Sequence, residues 1–263
     1  MSNLDHIFTV IIEGNIGSGK STLLNKFSSY NGIDILPEPV DKWRSLNGQN
    51  LLQLMYQDPA KHSMMFQSYV QLTMMQNHIQ KPSSSNINLK ILERSLFSAK
   101  YCFIKHAREH GNLSDAEYEV ITDWFDYLTR RSQLDLQVDL VVYVRTSPEV
   151  AWNRVKSRGR SEEDTVPLKY LQEIHQLHED WLFTPNPDFN VEVMIIDGDQ
   201  DLINGPHRHQ DIVRRVLERV WGKQVKEKRQ ERRANSERRQ LELAFESVHL
   251  DENENEEKDE ICL

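Results

Sequence analysis

Five short, mainly apolar runs, each interrupted by one polar or charged residue, recur along the chain and are separated by longer segments in which apolar residues follow helical spacing. The runs occupy residues 7–12, 33–36, 89–92, 138–144 and 191–196. Runs of this length predict strands buried on both faces, which is typical of a parallel sheet, and helices are expected to connect them. The alternation therefore predicts an α/β fold with a parallel five-stranded sheet flanked by helices.

The segments between the runs carry helix signals. Helices are predicted over residues 21–27, 50–57, 58–80, 96–110, 115–132, 167–182 and 206–221, with a further helix beginning near residue 147. Asp58-Pro59 supplies an N-cap and a first-turn proline, and residues 114–117 form a capping box.

The helix over residues 58–80 carries one unusual polar residue. Gln67, Val70 and Met74 share one helical face, which predicts that the face is buried. A buried amide without hydrogen bonds costs about 1–3 kcal/mol, and the planar edge of a base would satisfy both its oxygen and its NH₂ group. The other methionines of this helix are expected in the core: Met64, Met65 and Met75.

Length and composition are sufficient for one α/β domain. The chain has 263 residues, of which 38% are hydrophobic, and residues 1–222 are predicted to form a single domain. Residues 223–263 are rich in charge and poor in apolar residues, which predicts a charged helix or a disordered tail. The basic part of this tail could be a nuclear localisation signal, although a solvated helix is an equally good interpretation.

Charge and cysteine content narrow the class of protein. A net charge of −9 argues against nucleic acid as a partner, and two distant cysteines, Cys102 and Cys262, argue against a disulfide framework or a cysteine-based zinc site. The sequence shows no apolar run long enough to span a membrane, and the first strand follows the N-terminus too closely for a signal or transit peptide. These features predict a cytoplasmic protein, with the nucleus as an alternative.

The first predicted strand leads directly into the segment GNIGSGKS, which fits G-x-x-x-x-G-K-[ST]. Such a loop turns its backbone N–H groups inward at a helix N-terminus, where they bind phosphate oxygens. Lys20 is suited to the β- and γ-phosphates of ATP, and the Ser21 hydroxyl to Mg²⁺. A glycine-rich turn that binds nothing is disfavoured, because the strand, the motif and the following helix agree. The predicted ATP-binding residues of the loop are Gly14, Asn15, Ile16, Gly17, Ser18, Gly19, Lys20 and Ser21.

Charged residues also follow the second and third predicted strands. Glu38 precedes Pro39 after the second strand, and Glu93 and Arg94 end the third. Ligands bind at the carboxyl ends of parallel strands, so these side chains are expected near the phosphate-binding loop. The alternative interpretation of Glu38 is a solvated acid in a loop. The alternative for Glu93 and Arg94 is a surface ion pair that contributes little to stability. Opposite a phosphate-binding loop, Glu93 is better placed to support Mg²⁺ and Arg94 to face phosphate oxygens.

Three arginines, Arg154, Arg158 and Arg160, end the helix that begins near residue 147 and precede a polar loop. They suit a lid that closes over phosphates, although a solvated charged face is the alternative. His175 and His178 have H-x-x-H spacing without a further ligand set, which favours a structural role.

Several longer motifs resemble the deoxynucleoside kinase family. They include IEGNIGSGKS, EPVDKW, FQSYVQLTM, ERSLFSAKYCF and VYVRTSPEVAWNRVKSRGRSEED, and the resemblance runs from about residue 8 to 197. It is strongest to the insect multisubstrate and mitochondrial thymidine kinase members. The resemblance implies a P-loop NTPase fold, an arginine-rich lid, and transfer of the γ-phosphoryl group from ATP with Mg²⁺ to the 5′-hydroxyl of a deoxynucleoside. It also implies a homodimer formed through the long helices and feedback inhibition by a deoxynucleoside triphosphate.

The resemblance assigns roles to individual positions. Glu38 matches the general base, Arg94 the arginine near the attacking oxygen, and Glu93 a magnesium support. Tyr56 and Glu163 match the pair that recognises the 3′-hydroxyl. Arg154, Arg158 and Arg160 match lid positions. Gln67 matches the residue that pairs with the base, and the pocket around the base is matched by Trp43, Phe66, Val70, Met74, Ala99 and Phe103.

Small residues at Val70 and Ala99 leave uncharged space at the base, unlike the acidic equivalent of Ala99 in the deoxycytidine-specialised branch. We expect thymidine and deoxycytidine to be accepted and purines to be poorer substrates. A nucleoside monophosphate kinase is the nearest alternative, but Glu38 would repel a phosphorylated acceptor. A non-catalytic scaffold is the other alternative, which intact Lys20 and Arg94 disfavour.

Overall fold

The computed structural model describes residues 7–131, 133–187, 189–200 and 208–222, with residue 131 described by its backbone alone. The chain divides into two compact units, residues 1–214 and 215–263. Residues 208–214 of the first unit and 215–222 of the second are helical, as predicted for residues 206–221. The predicted charged tail, residues 223–263, lies outside the described residues.

A five-stranded parallel sheet forms the centre of the first unit, which confirms the predicted fold class. The strand order is β2-β3-β1-β4-β5. The central strand β1 lies between β3 and β4, and the direction in which the chain adds strands reverses there. In open α/β sheets such a reversal opens a crevice at the carboxyl ends of the strands. The strands are β1 (Phe8–Glu13), β2 (Ile33–Leu36), β3 (Leu89–Glu93), β4 (Leu140–Arg145) and β5 (Val193–Asp197).

The central strands are buried on both faces, as their mainly apolar runs predicted. Every residue of β1 and β3 is buried. The parallel register places Ile12 of β1 opposite Glu93 of β3, and Leu36 of β2 opposite Leu92. This register brings the loops after β1, β2 and β3 to one edge of the sheet.

Helices cover the sheet and supply the walls of the crevice. Those before β3 are α1 (Lys20–Asn25), α2 (Val40–Arg44), α3 (Leu51–Gln57) and α4 (Pro59–His78). Those after it are α5 (Leu96–Ser98), α6 (Lys105–Glu109), α7 (Asp115–Asp126), α8 (Pro148–Arg158) and α9 (Leu168–Phe183), with a short 3₁₀ turn at Ser161–Glu163. Within the described ranges, no helix combines the length and apolarity needed to cross a membrane.

The predicted helix ends are confirmed by capping contacts. The Asp58 side chain accepts a hydrogen bond from the backbone N–H of Lys61 at the start of α4. Ser114 and Glu117 form a reciprocal capping box at the start of α7. These local bonds satisfy N–H groups that have no partner inside the helix.

Two helices contain π-helical segments that the sequence did not predict. The predicted helix over residues 96–110 is α5, a π-helical segment at Ala99–Ile104, and α6. A second π-helical segment, Tyr127–Arg131, continues α7. Such segments are rare and often occur at functional sites. The first one carries Ala99 and Phe103, both predicted to line a pocket.

The expectation that Met65 lies in the core is wrong, because 42% of its surface is exposed. The buried face of α4 carries Gln67, Val70 and Met74. At 3.6 residues per turn, Met65 lies on roughly the opposite side of the helix from that face. Met64 and Met75 are partly buried and pack against hydrophobic clusters.

Candidate active site

A cavity of about 880 Å³ opens where the loops after β1, β2 and β3 meet. All the predicted site residues line it except Gly14, Asn15, Ser18 and Met74. The parallel strands therefore bring the phosphate-binding loop and the strand-end acids to one space, as their positions in the sequence predicted.

The loop after β1 is held in a tight conformation. Gly17 has φ of 78°, and a Cβ atom there would lie 2.4 Å from the backbone oxygen of Ala151. Asn15 is buried, and its Nδ2 donates a hydrogen bond of 2.7 Å to the backbone oxygen of Leu171. Asn15 and the fully buried Ser18 thus shape the loop from behind and do not line the cavity.

Lys20 lies over this loop at the floor of the cavity. Its Nζ donates hydrogen bonds to the backbone oxygens of Gly14, at 3.1 Å, and Asn15, at 2.7 Å. Burial and the nearby Arg94 lower the pKa of Lys20 to about 8. The ammonium group is thus a desolvated positive charge held within the phosphate-binding loop.

Ser21 and Glu93 form an oxygen-rich corner beside Lys20. The Ser21 Oγ donates a hydrogen bond of 2.5 Å to Oε1 of Glu93. Hydroxyl and carboxylate oxygens are the ligands that Mg²⁺ prefers, and Mg²⁺ usually needs only one or two protein ligands beside phosphates and waters. The two side chains therefore fit a magnesium ion at this corner.

Glu38 and Arg94 face each other on the cavity wall. The Arg94 Nε lies 2.8 Å from Oε1 of Glu38, whose side chain is 19% exposed, and the guanidinium lies 4.7 Å from the ring centroid of Phe103. Arg94 Nη1 is buried and finds no hydrogen-bond partner in the described part of the chain. Burial alone would lower the pKa of Arg94, but Glu38, Glu13 and Glu93 outweigh it and raise the pKa. The arginine is therefore a fixed cation whose Nη1 is directed to no group among the described residues.

The backbone at Arg94 is also strained. Its φ is 65°, in the left-handed region that residues with side chains seldom occupy. The Arg94 N–H donates a hydrogen bond of 2.9 Å to the backbone oxygen of Ile12, which ties the strained residue to β1. Backbone strain of this kind concentrates at functional sites.

Glu13, the last residue of β1, is a buried acid that the sequence analysis missed. Its Oε1 accepts a hydrogen bond of 2.6 Å from Ser95 Oγ, while its Oε2 has no partner among the described residues. Burial raises the pKa of Glu13 to about 7, against the opposing effect of Arg94. An acid at the end of an otherwise apolar strand, directly before a phosphate-binding loop, was the available signal.

The far wall of the cavity is largely apolar and contains one unsatisfied amide. Gln67 is 5% exposed, and its Oε1 has no hydrogen-bond partner within the described ranges. Trp43 packs edge-to-face on Phe66 at 5.7 Å and donates through Nε1 to Thr73 Oγ1 at 2.8 Å. Met74 is buried behind this wall, not at its surface. The unpaired amide oxygen is the feature predicted for a base-binding residue.

Two of the three predicted lid arginines converge on one acid. Arg158 and Arg160 both form ion pairs with the buried Glu163, the second at 3.4 Å. Arg154 lines the cavity but donates to the backbone oxygens of Gly198, at 2.7 Å, and Asp199, at 3.3 Å. The structure thus brings Arg158 and Arg160 to Glu163 and turns Arg154 toward the loop after β5.

Glu162 connects the segment that carries these arginines to α2 and to the N-terminal cap of α3. Its Oε2 accepts a hydrogen bond of 3.0 Å from Arg44 Nη2, and its Oε1 accepts one of 3.0 Å from Asn50 Nδ2. Local sequence signals could not predict this contact, because the pairs lie 118 and 112 residues apart.

Several cavity residues were not predicted. Tyr56 was predicted, but its neighbours Leu52 and Met55 on α3 line the same wall, as does Tyr170 on α9. Spacings of three and four residues from Leu52 to Met55 and Tyr56 were the signal on α3. Tyr170 had no comparable signal, because the sequence did not indicate that the start of α9 turns toward the cavity. Burial raises the pKa of Tyr170, and the nearby Arg94 opposes the shift.

Comparisons with known proteins identify the family of this chain. Residues 10–221 match the family model described as deoxynucleoside kinase. The chain is 44% identical over 173 residues to mitochondrial thymidine kinase 2 of Homo sapiens, an alignment that covers 66% of this chain and 63% of that protein. It is 36% identical to the probable deoxycytidine kinase FPV151 of Fowlpox virus, covering 80% and 86% of the two chains. With deoxycytidine kinase of Mus musculus it shares 32% identity, covering 80% and 89%. The chain therefore belongs to the deoxynucleoside kinase family.

Proposed function

We propose that this protein transfers the γ-phosphoryl group of ATP to the 5′-hydroxyl of deoxynucleosides, with thymidine and deoxycytidine preferred. The observation that carries the proposal is that Lys20 and the Glu38–Arg94 pair line one cavity, opposite the unpaired amide oxygen of Gln67. A phosphate-binding floor, a carboxylate and a base-binding group are the three elements that such a transfer requires.

On the donor side, the loop N–H groups and Lys20 bind the β- and γ-phosphates. Arg158 and Arg160 lie at the cavity wall, held by Glu163, and their guanidinium groups supply further positive charge for the transferring phosphoryl group. Preorganised cations stabilise developing charge without having to reorganise during the reaction.

Mg²⁺ would be held by Ser21 and Glu93, whose oxygens lie 2.5 Å apart. When bound, it neutralises charge on the β- and γ-phosphates. Residues of this chain carry out the remaining tasks, which are positioning of the acceptor and removal of its proton.

On the acceptor side, Glu38 accepts the proton of the 5′-hydroxyl while the hydroxyl oxygen attacks the γ-phosphorus. The new O–P bond forms as the bond from the γ-phosphorus to the β,γ-bridging oxygen breaks, and ADP leaves. Arg94 orients the Glu38 carboxylate through Nε, and its unpaired Nη1 is available to a phosphoryl oxygen. A buried arginine with an unpaired Nη1 suits this position, because the negative charge of the transferring phosphoryl group lies close to it.

The nucleoside is proposed to lie against the apolar wall. Gln67 pairs with the base through its unpaired amide, and Trp43 and Phe66 enclose the ring. Val70 and Ala99 are small and uncharged, which leaves space for the 5-methyl group of thymine as well as for cytosine. A purine base is larger and would crowd the same wall.

A phosphate-transfer assay tests the proposal. The full chain is supplied with MgATP and, separately, with thymidine, deoxycytidine, deoxyadenosine, deoxyguanosine and thymidylate. We expect 5′-monophosphate products from thymidine and deoxycytidine, slower reaction with the purines, and none with thymidylate. Phosphorylation of thymidylate alone would favour a nucleoside monophosphate kinase, and no transfer to any acceptor would favour a non-catalytic scaffold.

A homodimer and feedback inhibition by a deoxynucleoside triphosphate are part of the same proposal. Exposed apolar side chains on α4 and α7 support the dimer: Met65, Leu72, Val120 and Trp124. One cavity that contains both a phosphate-binding loop and a base-binding wall supports the feedback, because a deoxynucleoside triphosphate carries both groups. The cytoplasmic or nuclear location stays a prediction.

A further inference from the structure

Two histidines and a glutamate from different helices meet beside the cavity. His106 on α6 and His110 at its C-terminal cap are four residues apart, and their rings stack with centroids 4.0 Å apart. Oε2 of Glu173 on α9 lies 2.9 Å from His106 Nε2 and 3.3 Å from His110 Nε2. The three side chains can each offer one ligand atom, with all three atoms within 4.8 Å of one another.

The hydrogen bonds around His110 determine which of its nitrogens carries a proton. His110 Nδ1 lies 3.0 Å from the backbone oxygen of His106, which can only accept, so Nδ1 must be the donor. Nε2 is therefore the His110 nitrogen that is available to a cation, and it lies 3.3 Å from Oε2 of Glu173.

The spacing of the three atoms suits a metal ion. Zinc binds imidazole nitrogen and carboxylate oxygen at about 2.0–2.2 Å, so neighbouring ligands at angles of about 90–109° are roughly 2.9–3.4 Å apart. The observed separations of 2.9 and 3.3 Å from Glu173 Oε2 to the two Nε2 atoms fall in this range. Two histidines and one carboxylate are also a known donor set for zinc with an open fourth position.

We propose that His106, His110 and Glu173 bind one divalent transition-metal ion of the zinc type and thereby join α6 to α9. The site differs from the Ser21–Glu93 corner, because imidazole nitrogen favours zinc-like ions over Mg²⁺. His106 is the more buried of the two histidines, with 10% of its side chain exposed against 39% for His110, so its Nε2 is held in place as a ligand.

The ion would also act on the cavity wall. The His106 ring packs edge-on against the ring of Tyr170 at 4.8 Å between centroids, and Tyr170 lines the cavity. Fixing His106 between the metal and Tyr170 restricts this part of the wall. The Lys169 ammonium lies 3.7 Å from Glu173 Oε1, which leaves Oε2 as the oxygen directed at the ion.

Calorimetric titration of the full chain with Zn²⁺ tests the proposal. The protein is first stripped with a chelator, and Mg²⁺ is present in excess to saturate oxygen-only sites. We expect one tight ion per chain in the wild type. Partners outside the ligand set of a metal site are already worth about 10–100-fold in affinity, so removal of a direct ligand in His110→Ala or Glu173→Gln is expected to weaken binding at least about 100-fold.

The matched control is His175→Ala. His175 lies on α9 and pairs with Glu179 at 3.8 Å, a partly buried His–acid contact that has no third metal-binding side chain among the described residues. His175→Ala is expected to leave the Zn²⁺ affinity unchanged. Zn²⁺ is expected to raise the Tm of the wild type and of His175→Ala, but not the Tm of His110→Ala or Glu173→Gln. Zn²⁺ binding of equal affinity in the wild type, His110→Ala and Glu173→Gln would overturn the proposal. The same holds if the wild type binds no tight ion.

Discussion

The Nε of Arg94 donates a hydrogen bond of 2.8 Å to Oε1 of Glu38, and both side chains lie on the wall of the cavity that contains the phosphate-binding loop. The pairing follows from the sheet order, since Glu38 comes after β2 and Arg94 after the adjacent parallel strand β3. The bond engages only one carboxylate oxygen. Oε2 is therefore the oxygen that we expect to accept the proton of the nucleoside 5′-hydroxyl.

Glu38→Gln is expected to lower kcat for thymidine by about 10²–10⁴-fold, because a general base typically contributes that much and an amide cannot take up the proton. The amide oxygen can still accept the hydrogen bond from Arg94, so KM for thymidine should change little. Steady-state kinetics with thymidine and MgATP measures both constants.

Glu119→Gln is the matched control for this prediction, because Glu119 is an exposed residue of α7. Its kcat and KM should equal those of the wild type. A Glu38→Gln protein with the wild-type Tm and unchanged kcat would show that another group removes the proton.

Gln67→Ala is expected to raise KM for thymidine by about 10–100-fold while kcat falls less. Removal of the amide costs the hydrogen bonds to the base, each worth about 0.5–1.5 kcal/mol and more when the partner is left buried and unpaired. The preference for thymidine over deoxyadenosine should narrow as well. Gln76→Ala, at an exposed position of the same helix, should leave both constants unchanged, and an equal rise in KM for the two variants would contradict the assignment.

Glu163→Gln tests the contact proposed to recognise the 3′-hydroxyl. Glu163 is buried and holds Arg158 and Arg160 in the structure. A carboxylate accepts a hydroxyl proton more strongly than an amide does, so the variant should discriminate less between thymidine and 3′-deoxythymidine. The ratio of kcat/KM for the two nucleosides is the measurement. An unchanged ratio, with the wild-type Tm, would assign 3′-hydroxyl recognition to other groups.

Local sequence signals predicted the fold well. The apolar run at residues 33–36 coincides with β2, and the cap at Asp58 coincides with the start of α4. These features depend on neighbours within a few residues, which a single sequence displays. The phosphate-binding loop was predictable for the same reason, because its motif is local. The acids at the strand ends were predictable because parallel strands bring their carboxyl ends to one edge of the sheet.

Contacts between distant segments could not be predicted. The pairing of Glu13 with Ser95 depends on where α5 begins relative to β1, and 82 residues separate the two. Likewise, the convergence of Glu173 on His106 depends on the packing of α9 against α6, which periodicity does not determine. The π-helical segment at Ala99–Ile104 was missed because a π turn has no simple spacing signature.

Stability is expected to depend on pH through Glu13. Its pKa is raised from 4.5 to about 7 in the folded protein, so between these values the folded state binds one more proton than the unfolded state. Its contribution to stability is therefore complete below about pH 4.5 and is lost as the pH rises toward 7. The buried His78 and His178 have lowered pKa values and act in the opposite direction, so the contribution of Glu13 is measured as the difference between the wild type and a Glu13 variant in urea unfolding across this window.

Glu13→Gln keeps an acceptor for Ser95 but cannot ionise. Between pH 4.5 and 7 the slope of its unfolding free energy against pH should therefore be more positive than the wild-type slope, by the equivalent of up to about one proton. Glu119→Gln, which alters an exposed acid, serves as the control. If Glu13→Gln retains the full pH dependence of the wild type, Glu13 does not carry the proton.

The proposed dimer predicts that Trp124 becomes buried on self-association. Trp124 on α7 is 59% exposed in the single chain, and its neighbour Val120 is exposed one turn earlier. Aromatic side chains that are exposed alone but buried in an interface dominate association energies, so Trp124→Glu should shift the protein toward monomer. Sedimentation velocity at micromolar concentration measures this, with Tyr30→Glu, at an exposed aromatic position following α1, as the control. The wild type should sediment as a dimer, and so should Tyr30→Glu. A dimer that persists in Trp124→Glu would place the interface on another surface, because a buried carboxylate opposite its own symmetry copy is strongly unfavourable.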